Sequence, residues 1–207
     1  MLESIRFWDK VAQKYAKSAI SDMPSYEHKL EISRRYFTPD SQLLELGCGT
    51  GSTALLHAPY VAHILATDIS ANMLNIARQK ATDQHISNVS FVQGSNDQLN
   101  PEAPLDVVLA LNLLHLVDDW AAVIRDAYRW LKPGGVFITS TACLGDSVWR
   151  YIKWVAPLGR LLRLMPPVFV FTQAAFEQSL KEAGFEIDYL WRPEKFPSVF
   201  IVAKKPA

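Results

Sequence analysis

An α/β fold is predicted, with a seven-stranded, mostly parallel sheet, helices on both faces and a terminal antiparallel hairpin; three features of the sequence point to it. From about Gln42 onward, short β-branched runs alternate with helical patterns, the succession that builds parallel sheets through crossover helices. Several of these runs are nearly continuous in apolar residues, as expected of strands covered on both faces. The last two runs are separated only by Arg192 to Pro197, too short for a parallel crossover, so they should pair antiparallel.

Taken in order, residues 1–40 read as an N-terminal helical cap, in which Phe7, Val11 and Tyr15 recur at helical spacing and could form one packing face. The expected strands are Gln42–Leu46, His63–Thr67, Val89–Gln93, Asp106–Leu111, Val136–Thr141, Phe185–Trp191 and Ser198–Ala203. One helix should start after Ser70 as N-cap, since a serine oxygen can accept from an otherwise orphaned backbone N–H. Another should run from about Asp119 to Leu131, where Trp120, Val123, Ile124, Ala127, Trp130 and Leu131 form an apolar stripe. Lys132-Pro133-Gly134-Gly135 is expected to stop it and turn the chain into the next strand. A further helix should follow Thr172 and end at Gly184.

The 207 residues fit a single domain, 1–207, with ample length for a core. Twenty-one basic residues balance twenty-one acidic ones, so no global field draws the chain to nucleic acid, and none is expected as a partner. Cys48 and Cys143 make neither a metal-ligand spacing nor a disulfide framework, which suits a reducing cytoplasm. The first residues lack the basic-then-apolar pattern of a signal peptide. The most apolar stretch, Val155 to Phe171, is interrupted by Arg160, Arg163 and prolines and should not span a bilayer.

The chemistry starts at Glu45-Leu46-Gly47-Cys48-Gly49-Thr50-Gly51, where an apolar strand runs into spaced glycines and then a helix. Glycines let the backbone approach a ligand, and the following helix end supplies free N–H groups. A glycine turn alone is a weak signal. The second strand adds Asp68 at its carboxyl edge, about twenty residues beyond the first glycine, where an acid can accept both hydroxyls of a ribose. An N-cap role for Asp68 is the alternative, but Ser70 already fills it.

Two cofactor classes fit such a turn, a nicotinamide dinucleotide and S-adenosylmethionine. The dinucleotide fingerprint is G-x-G-x-x-G, whereas here the third glycine comes one residue early and Glu45 stands two residues before the first. An acid there would repel a pyrophosphate and attract the cationic amino group of a methionine moiety. An NAD(P)-dependent oxidoreductase and a non-catalytic cofactor-binding interaction protein of the same fold remain the alternatives.

Glu45 to Gly51, Thr67-Asp68-Ile69-Ser70 with Met73-Leu74, and Leu131-Lys132-Pro133-Gly134-Gly135 together resemble the Rossmann-like class I S-adenosylmethionine-dependent methyltransferases. The small bacterial enzymes similar to quinone-biosynthesis C-methyltransferases are the branch most resembled, over about Phe7 to Lys205. The resemblance implies S-adenosylmethionine as cofactor and S-adenosylhomocysteine as product. It implies that Gly47, Cys48 and Gly49 pass under the methionine and ribose portions, that Asp68 binds the ribose, and that Ile69 and Met73 flank the adenine. The family often reads the adenine amino group with an acid after the third strand; here Ser95 occupies that position, leaving Ser95 or Asn96 to do so. Leu111 and Asn112 would offer carbonyls to the amino group. Trp8, Ala12 and Tyr15 resemble the family's opening segment, and Tyr15 could reach the methionine carboxylate or simply pack.

Methyl transfer from a sulfonium disperses charge, so positioning and water exclusion suffice unless the acceptor must lose a proton. His115, in Leu113-Leu114-His115-Leu116, is the candidate base, with packing as the alternative; no metal site or nucleophilic triad is expected. The acceptor should be a small, apolar molecule such as a quinone or lipid-like compound. Its selector is expected in the insert from Asp146 to Phe171. On a helical wheel Tyr151, Trp154, Val155, Leu158, Leu162 and Met165 fall opposite Arg150, Lys153, Arg160 and Arg163, though Pro157 and Gly159 should kink any helix. A lid over the acceptor is the favoured role, with core packing and a membrane-peripheral surface as the others.

Overall fold

The computed structural model describes residues 2–101, 103–151, 165–193 and 196–207. Its helices are α1 (Leu2–Lys17), α2 (Met23–Arg34), α3 (Ser52–His57), α4 (Ala71–Asp83), α5 (Trp120–Trp130) and α6 (Gln173–Glu182), with short 3-10 turns between elements. Its strands are β1 (Gln42–Leu46), β2 (His63–Asp68), β3 (Val89–Gln93), β4 (Leu105–Leu111), β5 (Leu131–Ala142), β6 (Glu186–Trp191) and β7 (Ser198–Lys204). The sheet order is β3-β2-β1-β4-β5-β7-β6. β1, β2 and β3 pair in parallel, while β7 runs antiparallel to both β5 and β6. The predicted α/β sheet with an antiparallel end is therefore observed. Internal contacts gather the chain into two compact units, Met1–Leu109 and Ala110–Ala207, divided within β4.

In the first unit, Leu43, Leu44, Leu46, Ile64, Leu74, Ala77, Val107 and Leu109 are buried. Each large side chain of this kind contributes about 1.5–3 kcal/mol by leaving water. α4 starts as predicted, with the Ser70 side chain accepting from the Met73 N–H at 3.1 Å. α1 is tied to that same helix start by one residue that the sequence pattern did not single out. An Asp9 carboxylate oxygen accepts from Ser70 Oγ at 2.6 Å and from the Asn72 N–H at 3.2 Å, and the Asp9 carbonyl accepts from Asn72 Nδ2 at 3.1 Å. An acid beside the amino end of a helix also meets the positive end of its dipole.

In the second unit, Asp119 caps α5 by accepting from the Ala122 N–H at 2.8 Å, and Val123, Ile124, Ala127 and Trp130 are the buried stripe. The helix ends at Trp130, and β5 starts at Leu131 rather than at Val136. The expected stop sequence is drawn into the strand because Gly134 N–H donates to the Lys205 carbonyl and Lys205 N–H to the Gly135 carbonyl, each at 2.9 Å. Lys205 also satisfies the helix end, its Nζ donating to the carbonyls of Tyr128 and Leu131 at 2.8 and 2.7 Å. Thr172 caps α6 as expected, and Gly184 follows that helix at φ +100°. The two last strands form the predicted antiparallel pair, with the inner β7 buried from Val199 to Ala203 and the outer β6 half-exposed.

The insert keeps closed roots. Gly145 N–H donates to the Phe171 carbonyl at 2.9 Å, and Gln173 N–H to Asp146 Oδ2 at 2.6 Å. Val148–Tyr151 forms a 3-10 turn; the predicted amphipathic stretch beyond it, residues 152–164, lies outside the described residues. Among the described residues, no helix is long and apolar enough to cross a membrane, and no His, Cys, Asp and Glu cluster could hold a metal.

Candidate active site

The glycine loop is shaped by backbone geometry that only glycine adopts readily. Gly49 sits at φ +54°, and a Cβ there would lie 3.9 Å from the Tyr15 ring. Gly51 sits at φ +74°, and a Cβ there would meet the Ala77 Cβ at 2.7 Å and the Phe91 ring at 3.0 Å. The early third glycine thus serves close packing of the loop against α4 and β3. Cys48 N–H donates to the Thr67 carbonyl at 2.9 Å, binding the loop to the end of β2.

Asp68 completes that link. Its Oδ2 accepts from the Gly49 N–H at 2.9 Å and its Oδ1 from the Ser70 N–H at 2.8 Å. The carboxylate therefore braces the loop that a ligand would approach, a role separate from both the ribose and the N-cap expectations. Burial raises its pKa against the lowering effect of the Ser70, Gly49 and Ile69 N–H groups, and Asp9 raises it further. From the loop's outer side, Lys80 Nζ donates to Thr50 Oγ1 and to Ser52 Oγ, each at 3.0 Å.

Glu45 is 3% exposed, and its Oε2 has no hydrogen-bond partner among the described residues. Burial and then the nearby Asp68 charge push its pKa up to about 8. The Cys48 thiol is driven well above its ordinary range by burial, then by Glu45 and Asp68, so it stays protonated and unreactive. Tyr26, from α2, is raised by burial against its hydrogen bond to Thr53, and it also feels the Glu45 charge. Tyr15 stands half-exposed over Gly49, edge-on to Trp8, with its pKa raised by desolvation and by Asp68. It is no part of a buried packing face, since Ala12 is the buried residue of α1.

The first unit thus brings together Tyr15, Glu45, Gly47, Cys48, Gly49 and Asp68. Ile69 is half-buried beside them, its carbonyl accepting from Gln93 Nε2 at 3.1 Å, while Met73 is committed to the core at 2% exposure. Ser95 is locally engaged, its hydroxyl donating to the Asp97 carboxylate and its N–H to Gln98 Oε1; Asn96 begins the 3-10 turn that follows. Two acids around a glycine turn suit a ligand with a cationic group and a vicinal diol. Sequence reasoning missed Asp9, Tyr26 and Lys80, because each acts through a partner distant in sequence.

Leu111, Asn112 and His115 belong to the second unit. Asn112 adopts φ +56°, uncommon for a residue with a Cβ, and its N–H donates to the Ser140 carbonyl at 2.6 Å. The His115 N–H donates to Thr141 Oγ1 at 3.2 Å, while Nδ1 lies 3.3 Å from the same oxygen. The His115 carbonyl accepts from the Phe169 N–H at 2.8 Å. Burial lowers the ring's pKa to about 4, so the imidazole is neutral at neutral pH. If the Thr141 hydroxyl donates to Nδ1, the ring proton sits on Nε2 and the histidine presents a donor rather than a base.

Residues 43–135 match the family model described as a methyltransferase domain. The chain is 30% identical over 171 residues to the demethylmenaquinone methyltransferase of Listeria monocytogenes, covering 79% of this chain and 67% of that one. Among solved structures, the YcgJ protein of Bacillus subtilis superposes with a TM-score of 0.72 at 17% identity, covering 87% of this chain and 99% of that one. A phosphoethanolamine N-methyltransferase of Haemonchus contortus, solved with S-adenosylhomocysteine, gives a TM-score of 0.72 at 18% identity over 88% of this chain and 53% of that one. At those identities the structures support the fold, whereas the family model and the Listeria relative carry descent. With the glycine loop and its acids arranged as described, the chain belongs to the class I S-adenosylmethionine-dependent methyltransferases.

Proposed function

We propose that this enzyme uses S-adenosylmethionine bound at the glycine loop of the first unit to methylate a small apolar acceptor, of the hydroquinone class. The observation that carries the cofactor assignment is the acid pair, a buried Glu45 with an orphan oxygen beside Asp68 at the loop. The hydroquinone class is supported by the similarity to a demethylmenaquinone methyltransferase over most of the chain.

The cofactor supplies an electrophilic methyl group on a sulfonium. The chain's task is then to orient and to exclude water, where effective molarities of about 10⁵ M and above are available to well-aligned reactants. In this proposal Asp68 accepts from the ribose hydroxyls while keeping the loop braced, and Glu45 faces the ligand's ammonium. Tyr15 covers the loop from α1, and Ser95 or Asn96 contacts the adenine. A phenolic carbon acceptor becomes nucleophilic as its hydroxyl proton is withdrawn. His115 is the candidate base, in the tautomer whose Nδ1–H donates to Thr141 Oγ1 and leaves Nε2 free to accept that proton. The segment between Asp146 and Phe171 is assigned the acceptor lid, and contact with a membrane surface would follow from a lipid-tailed substrate.

The test is titration calorimetry with S-adenosylhomocysteine and with NAD(H), followed by transfer of labelled methyl groups to prenylated hydroquinones and to polar phenols. Binding of S-adenosylhomocysteine and turnover of the prenylated compounds is the expected result. NAD(H) binding in its place overturns the cofactor assignment, and turnover restricted to polar phenols overturns the acceptor class.

A further inference from the structure

Among the described residues, the titratable groups that interact electrostatically with Glu45 are themselves acids. Asp68 comes from β2, Tyr26 from α2, and Cys48 from the glycine loop; each is linked electrostatically to Glu45. Among the described residues, the charge acting on Glu45 is that of Asp68 alone, and no cation offsets it. Its Oε2 is buried without a hydrogen-bond partner, a position that is expensive for a bare carboxylate oxygen and much less so for a neutral acid. Glu45 and Asp68 thus form one half of a cation site, with the cation left for a ligand to bring.

We propose that Glu45 holds a proton in the free protein and releases it to solvent when the ligand's ammonium group arrives, so that cofactor binding is coupled to proton release. This rests on the assignment of the glycine loop as the cofactor site. The balance is simple: a neutral carboxylic acid and an ammonium ion become a carboxylate–ammonium pair, and one proton leaves. No covalent bond of the ligand changes. Burial and Asp68, which hold the Glu45 pKa at about 8, make the proton present at neutral pH. An opposite charge within a few ångströms then lowers the pKa again. Between the bound-state pKa and about 8, affinity for an amino-bearing ligand should rise with pH, by up to about tenfold per unit. Above that range Glu45 is already ionised and the rise ends.

The experiment is calorimetric titration of the whole protein at pH 7 in two buffers of different ionisation enthalpy. S-adenosylhomocysteine carries the ammonium. 5′-Methylthioadenosine keeps the adenine and ribose and lacks the amino-acid arm. S-adenosylhomocysteine should release close to one proton, with release vanishing near pH 9, and 5′-methylthioadenosine should release almost none. Glu45→Gln, a neutral near-isostere of the protonated acid, should bind S-adenosylhomocysteine without release. Binding with no release, equal release with 5′-methylthioadenosine (which would point to Asp68), or release persisting in Glu45→Gln overturns the proposal and leaves the cofactor assignment standing. If S-adenosylhomocysteine does not bind, the cofactor assignment falls and the proposal with it.

Discussion

Both oxygens of Asp68 already accept backbone N–H groups, from Gly49 and Ser70, so any ribose must use the remaining lone pairs of the same carboxylate. Asp68→Ala removes ligand contact and loop brace together. Cofactor affinity should weaken by about 1.5–3 kcal/mol, the range for losing charge-assisted hydrogen bonds; an unchanged dissociation constant would sink the ribose role. His115 makes a contrasting case, because its position concerns the second unit. His115→Ala should leave S-adenosylhomocysteine affinity nearly intact while lowering turnover. With the ring's pKa at about 4, the wild-type rate should show no His115 inflection between pH 6 and 8. A wild-type inflection near 6.5 that disappears in the variant would contradict the buried, Thr141-bonded arrangement.

At the level of elements, Gly51 is the strictest position in the loop. Gly51→Ala adds a Cβ at φ +74° and against Ala77 at 2.7 Å, and should destabilise by about 1–3 kcal/mol in urea unfolding. Much of the framework was legible beforehand: β1 and β3 have the expected bounds, and Ser70, Asp119 and Thr172 cap the helices they were assigned. Those features are local, set by hydrophobic period and by a side chain reaching its own helix start. What escaped is non-local. The early start of β5 depends on pairing with Lys205, and the hold of α1 on α4 depends on Asp9 reaching Ser70 and Asn72. In the site, the glycine loop and Glu45 stood out because one strand–turn–helix fixes their spacing, and Asp68 because it ends the next strand. Tyr26, Lys80 and the bracing role of Asp68 needed coordinates.

For the whole molecule, two buried titratable groups set opposite pH slopes on stability. His57 is fully buried, neither ring nitrogen has a hydrogen-bond partner among the described residues, and burial followed by the Arg34 charge lowers its pKa from 6.5 to about 3. The unfolded chain therefore takes up a proton there first, and stability falls as pH drops below 6.5, by about 1.4 kcal/mol per unit. Glu45 moves from 4.5 to about 8, so the unfolded chain loses its proton first and stability falls as pH rises between those values. Between about 4.5 and 6.5 these two slopes cancel, leaving the rise with pH that His115 adds through its own lowered pKa of about 4, and from 6.5 to 8 the Glu45 slope stands uncompensated by either histidine. Thermal unfolding of Glu45→Gln should therefore gain over the wild type at pH 8 more than at pH 5. Equal gains at both would place the carboxyl in a more polar setting than its burial implies.

The last strand in sequence is not at the margin of its sheet. Because β7 lies between β5 and β6, those two strands have no partner on their facing edges until Ser198–Lys204 has left the ribosome. The first unit can assemble while synthesis continues, whereas the second must wait, exposing two strand edges in the interval. A nonsense change before Ser198 would therefore leave an aggregating species with a well-formed glycine loop, and shielding by chaperones should matter most in that late interval.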